Sequence, residues 1–219
     1  MQLNPVVVNV PGAPALDQAR NDQLPAAQAS PALAQPLTRE LTVSEVLTLL
    51  KVADARSRLL ITLMLSGLSG EEVHAMKAGD IDADSVSLFV RGAGERSISV
   101  SAVIAGVLSE CLSAKQSVDS PVFADSRGEA LEKEELAALL ACTAHDAGLA
   151  NPDEVTLQAL RHTYLAYLVR RGVRLSELGR VAGDMPPSEL AAYTTYAPPG
   201  AGVALDTVDK TYPAYASLK

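Results

Sequence analysis

From residue 41 onward, apolar residues return every three to four positions. Leu41, Val46, Leu49, Leu50 and Ala53 fall at helical spacing. The segment Thr42-Val43-Ser44-Glu45 has the form of a capping box, in which the Thr42 hydroxyl accepts from the Glu45 N–H and the Glu45 carboxylate reaches back. The same spacing predicts a second helix over 56–66, stopped at Gly67, and a short third over 70–77. The period then changes. Val86, Leu88 and Val90 alternate along the chain, Gly92-Ala93-Gly94 supplies a turn, and Ile98 and Val100 alternate again, which predicts a β-hairpin. Helical spacing resumes over 101–115, 131–147, 157–171, 174–182 and 188–193, with Gly148, Gly172 and Gly183 where helices should stop. There is no internal repeat. The pattern predicts a mainly α fold with a small antiparallel β-sheet, an α+β class.

Residues 1–38 lack any such period. Ala, Pro and Gln fill 19 of these 38 positions, and six of the 13 prolines, at 5, 11, 14, 25, 31 and 36, interrupt any longer helix. The composition predicts a flexible tail or linker. Val6-Val7-Val8 offers the alternative of an edge strand. The expected organisation is therefore a tail over 1–38, a folded domain over 39–197 and a C-terminal extension over 198–219. Pro198, Pro199, Gly200, Gly202 and Pro213 keep the extension from forming one long helix but would let it reach a partner.

Composition narrows the function classes. A 219-residue chain with 48% hydrophobic residues can build a core, which excludes global disorder. No apolar run approaches a membrane span, and the N-terminus lacks the features of a secretory signal. Cys111 and Cys142 have no ligand-like spacing and fit a reduced, cytoplasmic protein. The three histidines share no spacing with cysteine or carboxylate that would hold a metal, and the Gly92–Gly94 turn lacks the Lys-Ser/Thr of a phosphate-binding loop, so neither metal nor cofactor is expected. The net charge of −8 argues against broad polyanion binding. That charge is uneven. Residues 39–154 carry 10 positive and 19 negative side chains, whereas 155–196 carry five and three. The carboxylates between 129 and 135 read as a solvated helix face that complements a helix N-terminus.

The basic stretch contains Val155-Thr156-Leu157-Gln158-Ala159-Leu160-Arg161-His162-Thr163-Tyr164, and Tyr193 follows Arg161 by 32 residues. Upstream lie Leu65-Ser66-Gly67-Leu68-Ser69-Gly70-Glu71-Glu72-Val73, then Asp80-Ile81-Asp82, then Arg91-Gly92-Ala93-Gly94-Glu95-Arg96. In this order and spacing the strings resemble the signature motifs of the tyrosine recombinase, or phage integrase, family over about residues 40–197. The resemblance implies that family's catalytic-domain fold and its chemistry. A tyrosine attacks a DNA phosphodiester to form a 3′-phosphotyrosine link. Two arginines clamp the non-bridging oxygens. A β-turn lysine protonates the leaving oxygen, and two histidine-type positions assist.

Carried over residue by residue, the nucleophile position is Tyr193 and the second arginine is Arg161. Ser69 stands at the first arginine, Arg91 at the lysine, Gln158 at the histidine three residues before Arg161, and Asp184 at the later His/Trp position. Arg91 can hold a phosphate but is a poor proton donor. Arg161, His162, Arg91 and Arg96 are the expected DNA contacts. For Arg161 the residues leave open a tie to a carboxylate or a helix C-terminal carbonyl, for Tyr193 a packing role, and for His162 a satisfied buried histidine. Tyr196 is a second candidate tyrosine. The resemblance thus implies a protein of DNA recombination or integration whose catalytic set is dismantled, acting through weak DNA binding or as an accessory to an active recombinase. The C-terminal extension offers a route to that recombinase or to self-association. Two alternatives stand beside it: a protein-interaction module that kept the fold and lost DNA, and a divergent active recombinase that uses Tyr193.

Overall fold

A computed structural model describes residues 38–218 apart from 83, 93 and 113–116. Apart from Thr38, the tail expected over 1–38, with Val6-Val7-Val8, lies outside the described residues.

The first helix, α1 (Val43–Val52), begins with the capping box read from the sequence, with Glu45 N donating to Thr42 Oγ1 at 3.2 Å and Thr42 N to Glu45 Oε2 at 2.8 Å. Asp54 caps the next helix, α2 (Ala55–Met64), accepting from Ser57 N at 2.7 Å. This helix is the centre of the described core. Seven of its ten residues are buried, Ser57 and Thr62 among them, so it shows little amphipathic contrast. Its buried hydroxyls are satisfied: Thr62 Oγ1 donates to Arg58 O at 2.7 Å, and Ser57 Oγ lies 3.0 Å from Thr143 Oγ1.

After α3 (Gly70–Ala75) comes a three-stranded antiparallel sheet of β1 (Ile81–Asp82), β2 (Ser87–Val90) and β3 (Arg96–Ser99), in that spatial order. The register pairs Leu88 with Ile98 and Val90 with Arg96. Leu88, Val90 and Ile98 enter the core while Phe89 and Ser97 face outward, as the alternation predicts. The two-residue β1 is too short to leave a period in the sequence.

Helices α4 (Ala102–Cys111), α5 (Lys133–Asp146) and α6 (Leu157–Arg170) then surround α2. Capped by Thr156, α6 buries all but a few of its side chains, Gln158, Arg161 and Arg170 lying on its outer positions. The helix predicted over 174–182 forms as a 3₁₀ turn followed by the one-turn α7 (Gly179–Ala182). The last helix is α8 (Pro187–Ala192), and Tyr193 begins the 3₁₀ turn Tyr193–Tyr196.

The segment after 197 departs from expectation. It is not an arm free for a partner but part of the same core. Leu205, Tyr212, Ala214 and Tyr215 are all buried, Tyr215 Oη donating to Thr62 Oγ1 at 2.9 Å and Tyr212 Oη to Leu41 O at 3.3 Å. The prolines and glycines do prevent a long helix, as read. They leave short 3₁₀ turns whose few aromatic and aliphatic side chains suffice to dock against α1 and α2. Among the described residues, no helix is long and apolar enough to cross a membrane.

Candidate functional site

Three of the positions singled out in the sequence meet in one cleft of about 450 Å³: Ser69, Gln158 and Arg161. Ser69 is the N-cap of α3, its Oγ accepting from Glu72 N at 3.2 Å while its own N–H donates to Glu72 Oε2 at 2.7 Å. A short hydroxyl thus closes a helix end where the resemblance implies a guanidinium. Gln158 and Arg161, one turn apart on α6, share a face and line the same space. Glu71 from α3, and Lys133 and Glu134 from the first turn of α5, complete the polar lining, and Lys133 Nζ lies 3.1 Å from Glu71 Oε1. The sequence reading missed these three because nothing local ties α5 to α3.

Arg161 turns toward the fold's own backbone. Its Nε donates to Gly67 O at 3.1 Å and its Nη2 to Ala182 O at 2.7 Å. Gly67 lies in the turn after α2 and Ala182 ends α7, so the guanidinium joins a turn carbonyl to one that a helix end leaves unpaired. Gly67 has φ +98°, and a Cβ there would sit 3.1 Å from Val181 O. That close approach of the α2 turn to α7 brings both acceptors within reach of one side chain.

Arg96 is held more completely still. Nη1 donates to Glu72 Oε1 at 2.5 Å and Gly94 O at 3.1 Å, Nη2 to Glu72 Oε2 at 3.0 Å and Val181 O at 2.8 Å, and Nε to Val181 O at 3.1 Å. All five donors of the guanidinium have acceptors inside the protein. The expectation that Arg96 contacts DNA does not fit this geometry, because it is a mostly buried tie between α3, the hairpin and α7. Arg91 lies outside the cleft as well. Its Nε donates to Asp80 Oδ1 at 2.7 Å, Asp80 being 1% exposed at its side chain, and its guanidinium lies 5.5 Å from the Phe89 ring centroid. The hydrogen bond and charge of Asp80 raise the Arg91 pKa above its ordinary value. Asp184 is exposed beside the hairpin turn.

Tyr193 is 2% exposed, and its hydroxyl lies 3.0 Å from His162 Nδ1. The Tyr196 hydroxyl lies 3.3 Å from His162 Nε2. The buried imidazole is bracketed by two tyrosines, donating to one and accepting from the other when neutral. Burial lowers the His162 pKa, with Glu40 opposing and Arg170 reinforcing the shift. Burial also pushes the Tyr193 hydroxyl well above the ordinary phenol range, Glu189 adding to this and Arg161 working against it. Arg170 stacks 4.7 Å over the Tyr196 ring and pairs with Glu40. Neither Tyr193 nor His162 lines the cleft. Among the described residues, no group of three His, Cys, Asp or Glu side chains is placed to hold a metal ion.

Residues 39–198 match the sequence model of the phage integrase family. Among solved structures, the fold is similar to that of XerA recombinase, with 18% identity and a TM-score of 0.64 over 74% of this chain and 58% of that one. It is also similar to an integrase from mycobacterium phage Brujita, with 17% identity and a TM-score of 0.55 over 83% of this chain and 63% of that one. The Tn1549 transposon integrase, solved in complex with transposon right-end DNA, gives 14% identity and a TM-score of 0.60 over 75% and 62%. The chain thus spans about three-fifths of the length of these structures. No curated protein matches its sequence. Motif order, fold and the match over 39–198 agree, and the chain belongs to the phage integrase family of tyrosine recombinases.

Proposed function

We propose that the protein serves DNA recombination or integration without cutting DNA, engaging duplex DNA weakly and assisting an active recombinase. The observation that carries this reading is the state of the family positions. Arg161 donates to Gly67 O and Ala182 O, Ser69 caps α3, and the Tyr193 hydroxyl is buried against His162. A phosphoryl transfer site needs preorganised donors aimed at developing charge, and removing a single such donor typically lowers the rate by about 10²–10³. Here the lining of the cleft sets Arg161 and Lys133 against Glu71 and Glu134, so its formal charge is balanced rather than strongly positive. Solved family structures that carry DNA support contact with a duplex through the same fold.

Titration of a labelled duplex at low ionic strength tests the DNA half of this reading. Weak binding that falls steeply with salt is the expected result. Absence of affinity for any duplex would favour the second reading, a protein-interaction module. That reading draws on Arg91 and Arg96, both committed to internal carboxylates.

A further inference from the structure

The cleft contains one cation that none of the sequence motifs marks. Lys133 is the first residue of α5 and lines the same space as Ser69, Gln158 and Arg161. The arginines near the family positions are already engaged by the fold, Arg161 through its Nε and Nη2 while it still lines the cleft. Arg96 has every donor satisfied, Arg91 neutralises the buried carboxylate of Asp80, and Arg161 holds two backbone carbonyls. Removing any of them from its partner would strand a buried acceptor. Lys133 differs. Among the described residues its one hydrogen-bond partner is Glu71, and the two side chains are 47% and 70% exposed. An exposed pair of this kind contributes little and is readily exchanged. Glu71 presents to Lys133 what a phosphate would present: an anionic oxygen at 3.1 Å, at the mouth of a cleft.

We infer, on the reading that this protein engages duplex DNA, that Lys133 is the backbone-phosphate ligand of the cleft and that Glu71 occupies it as a carboxylate stand-in until DNA arrives. Lys133 then partly replaces the positive charge lost at Ser69. It approaches the cleft from α5, whereas Ser69 begins α3. A point charge on a flexible stem binds a phosphate without fixing it in the bidentate geometry an arginine provides. The arrangement therefore suits holding DNA rather than reacting with it. Glu134 lines the cleft too and opposes the phosphate, so binding through this site stays weak while both carboxylates are present.

The test compares wild type with Lys133→Gln, Glu71→Gln and, as a control for loss of a surface charge elsewhere, Lys51→Gln, each titrated with a labelled duplex at several salt concentrations. Lys133→Gln should weaken binding roughly fivefold at about 50 mM salt and flatten the slope of log K against log salt by about 0.9. Glu71→Gln should strengthen binding by a similar factor, and that gain should shrink when Lys133 is already Gln. If Lys133→Gln behaves like Lys51→Gln while wild type binds, the assignment of Lys133 is overturned and the DNA reading stands. If neither wild type nor Glu71→Gln binds any duplex, the DNA reading itself fails. Inorganic phosphate, followed by amide chemical shifts around Lys133 and Ser69, separates the two sources of the anion. Saturation by phosphate in a protein that ignores the duplex would overturn the polynucleotide assignment.

Discussion

The hydroxyl of Tyr193 lies 3.0 Å from Nδ1 of His162, and both residues are buried. At the position where the family keeps its nucleophile, the oxygen is thus bonded within the fold. Tyr193→Phe removes that bond and leaves a buried ring nitrogen without a partner, which should destabilise the protein by about 1–3 kcal/mol. A urea melt reads this directly. Duplex affinity should not change, because the hydroxyl does not face the cleft.

The same pair gives stability a pH dependence. Burial lowers the folded-state pKa of His162 below its ordinary 6.5. In the window just below 6.5 the unfolded chain therefore binds the proton more readily than the folded one. Stability from this group is complete above that value and is lost as pH falls toward the depressed folded pKa. Glu40 and Arg170, the charged groups acting on the ring, carry opposite signs and pair with each other, so desolvation dominates. The melting temperature should fall between pH 7 and pH 5, and His162→Gln should flatten that fall. An unchanged slope in the variant would contradict the assignment.

Arg96 joins α3, the hairpin and α7 through five hydrogen bonds, and its removal leaves the Glu72 carboxylate, 18% exposed, without its counter-charge. Arg96→Ala should destabilise the fold by about 3 kcal/mol, toward the lower end for a broken buried pair. Gly183→Ala should act through the same residue. Its φ is +72°, and an added Cβ would lie 2.7 Å from Arg96 Nη1, which those bonds hold in place. The two substitutions should be non-additive in chemical denaturation, since each disturbs the same contact.

The C-terminal turn gives a prediction of a different kind. Tyr215 is buried with its hydroxyl on Thr62, so Tyr215→Ala should cost about 3–5 kcal/mol, whereas Tyr215→Phe should cost about 1 kcal/mol. If residues 198–219 worked chiefly as an arm for a partner, both substitutions would leave the thermal transition in place.

How much of this was legible in the sequence follows from what each feature depends on. The capping box at Thr42, the alternation in Leu88, Val90 and Ile98, and the helix carrying Arg161 are local patterns, and they appear where the spacing puts them. The docking of Tyr212 and Tyr215 was hidden because short 3₁₀ turns carry no period. The engagements of Arg161 and Arg96 were hidden for another reason. Their acceptors include backbone carbonyls of Gly67, Ala182 and Val181, and any residue type supplies a carbonyl. A motif therefore identified Arg161 by position while saying nothing about whether its donors were free. Lys133 and Glu71 meet across 62 residues, a distance no spacing rule spans.

On the function proposed, Tyr193 and Arg161 stand at the family's positions without performing its chemistry. A nicked suicide duplex, which traps any 3′-phosphotyrosine by letting the leaving strand diffuse away, tests it most directly. No covalent protein–DNA adduct should form with wild type under conditions where the duplex is bound. An adduct that forms with wild type and vanishes in Tyr193→Phe would contradict it.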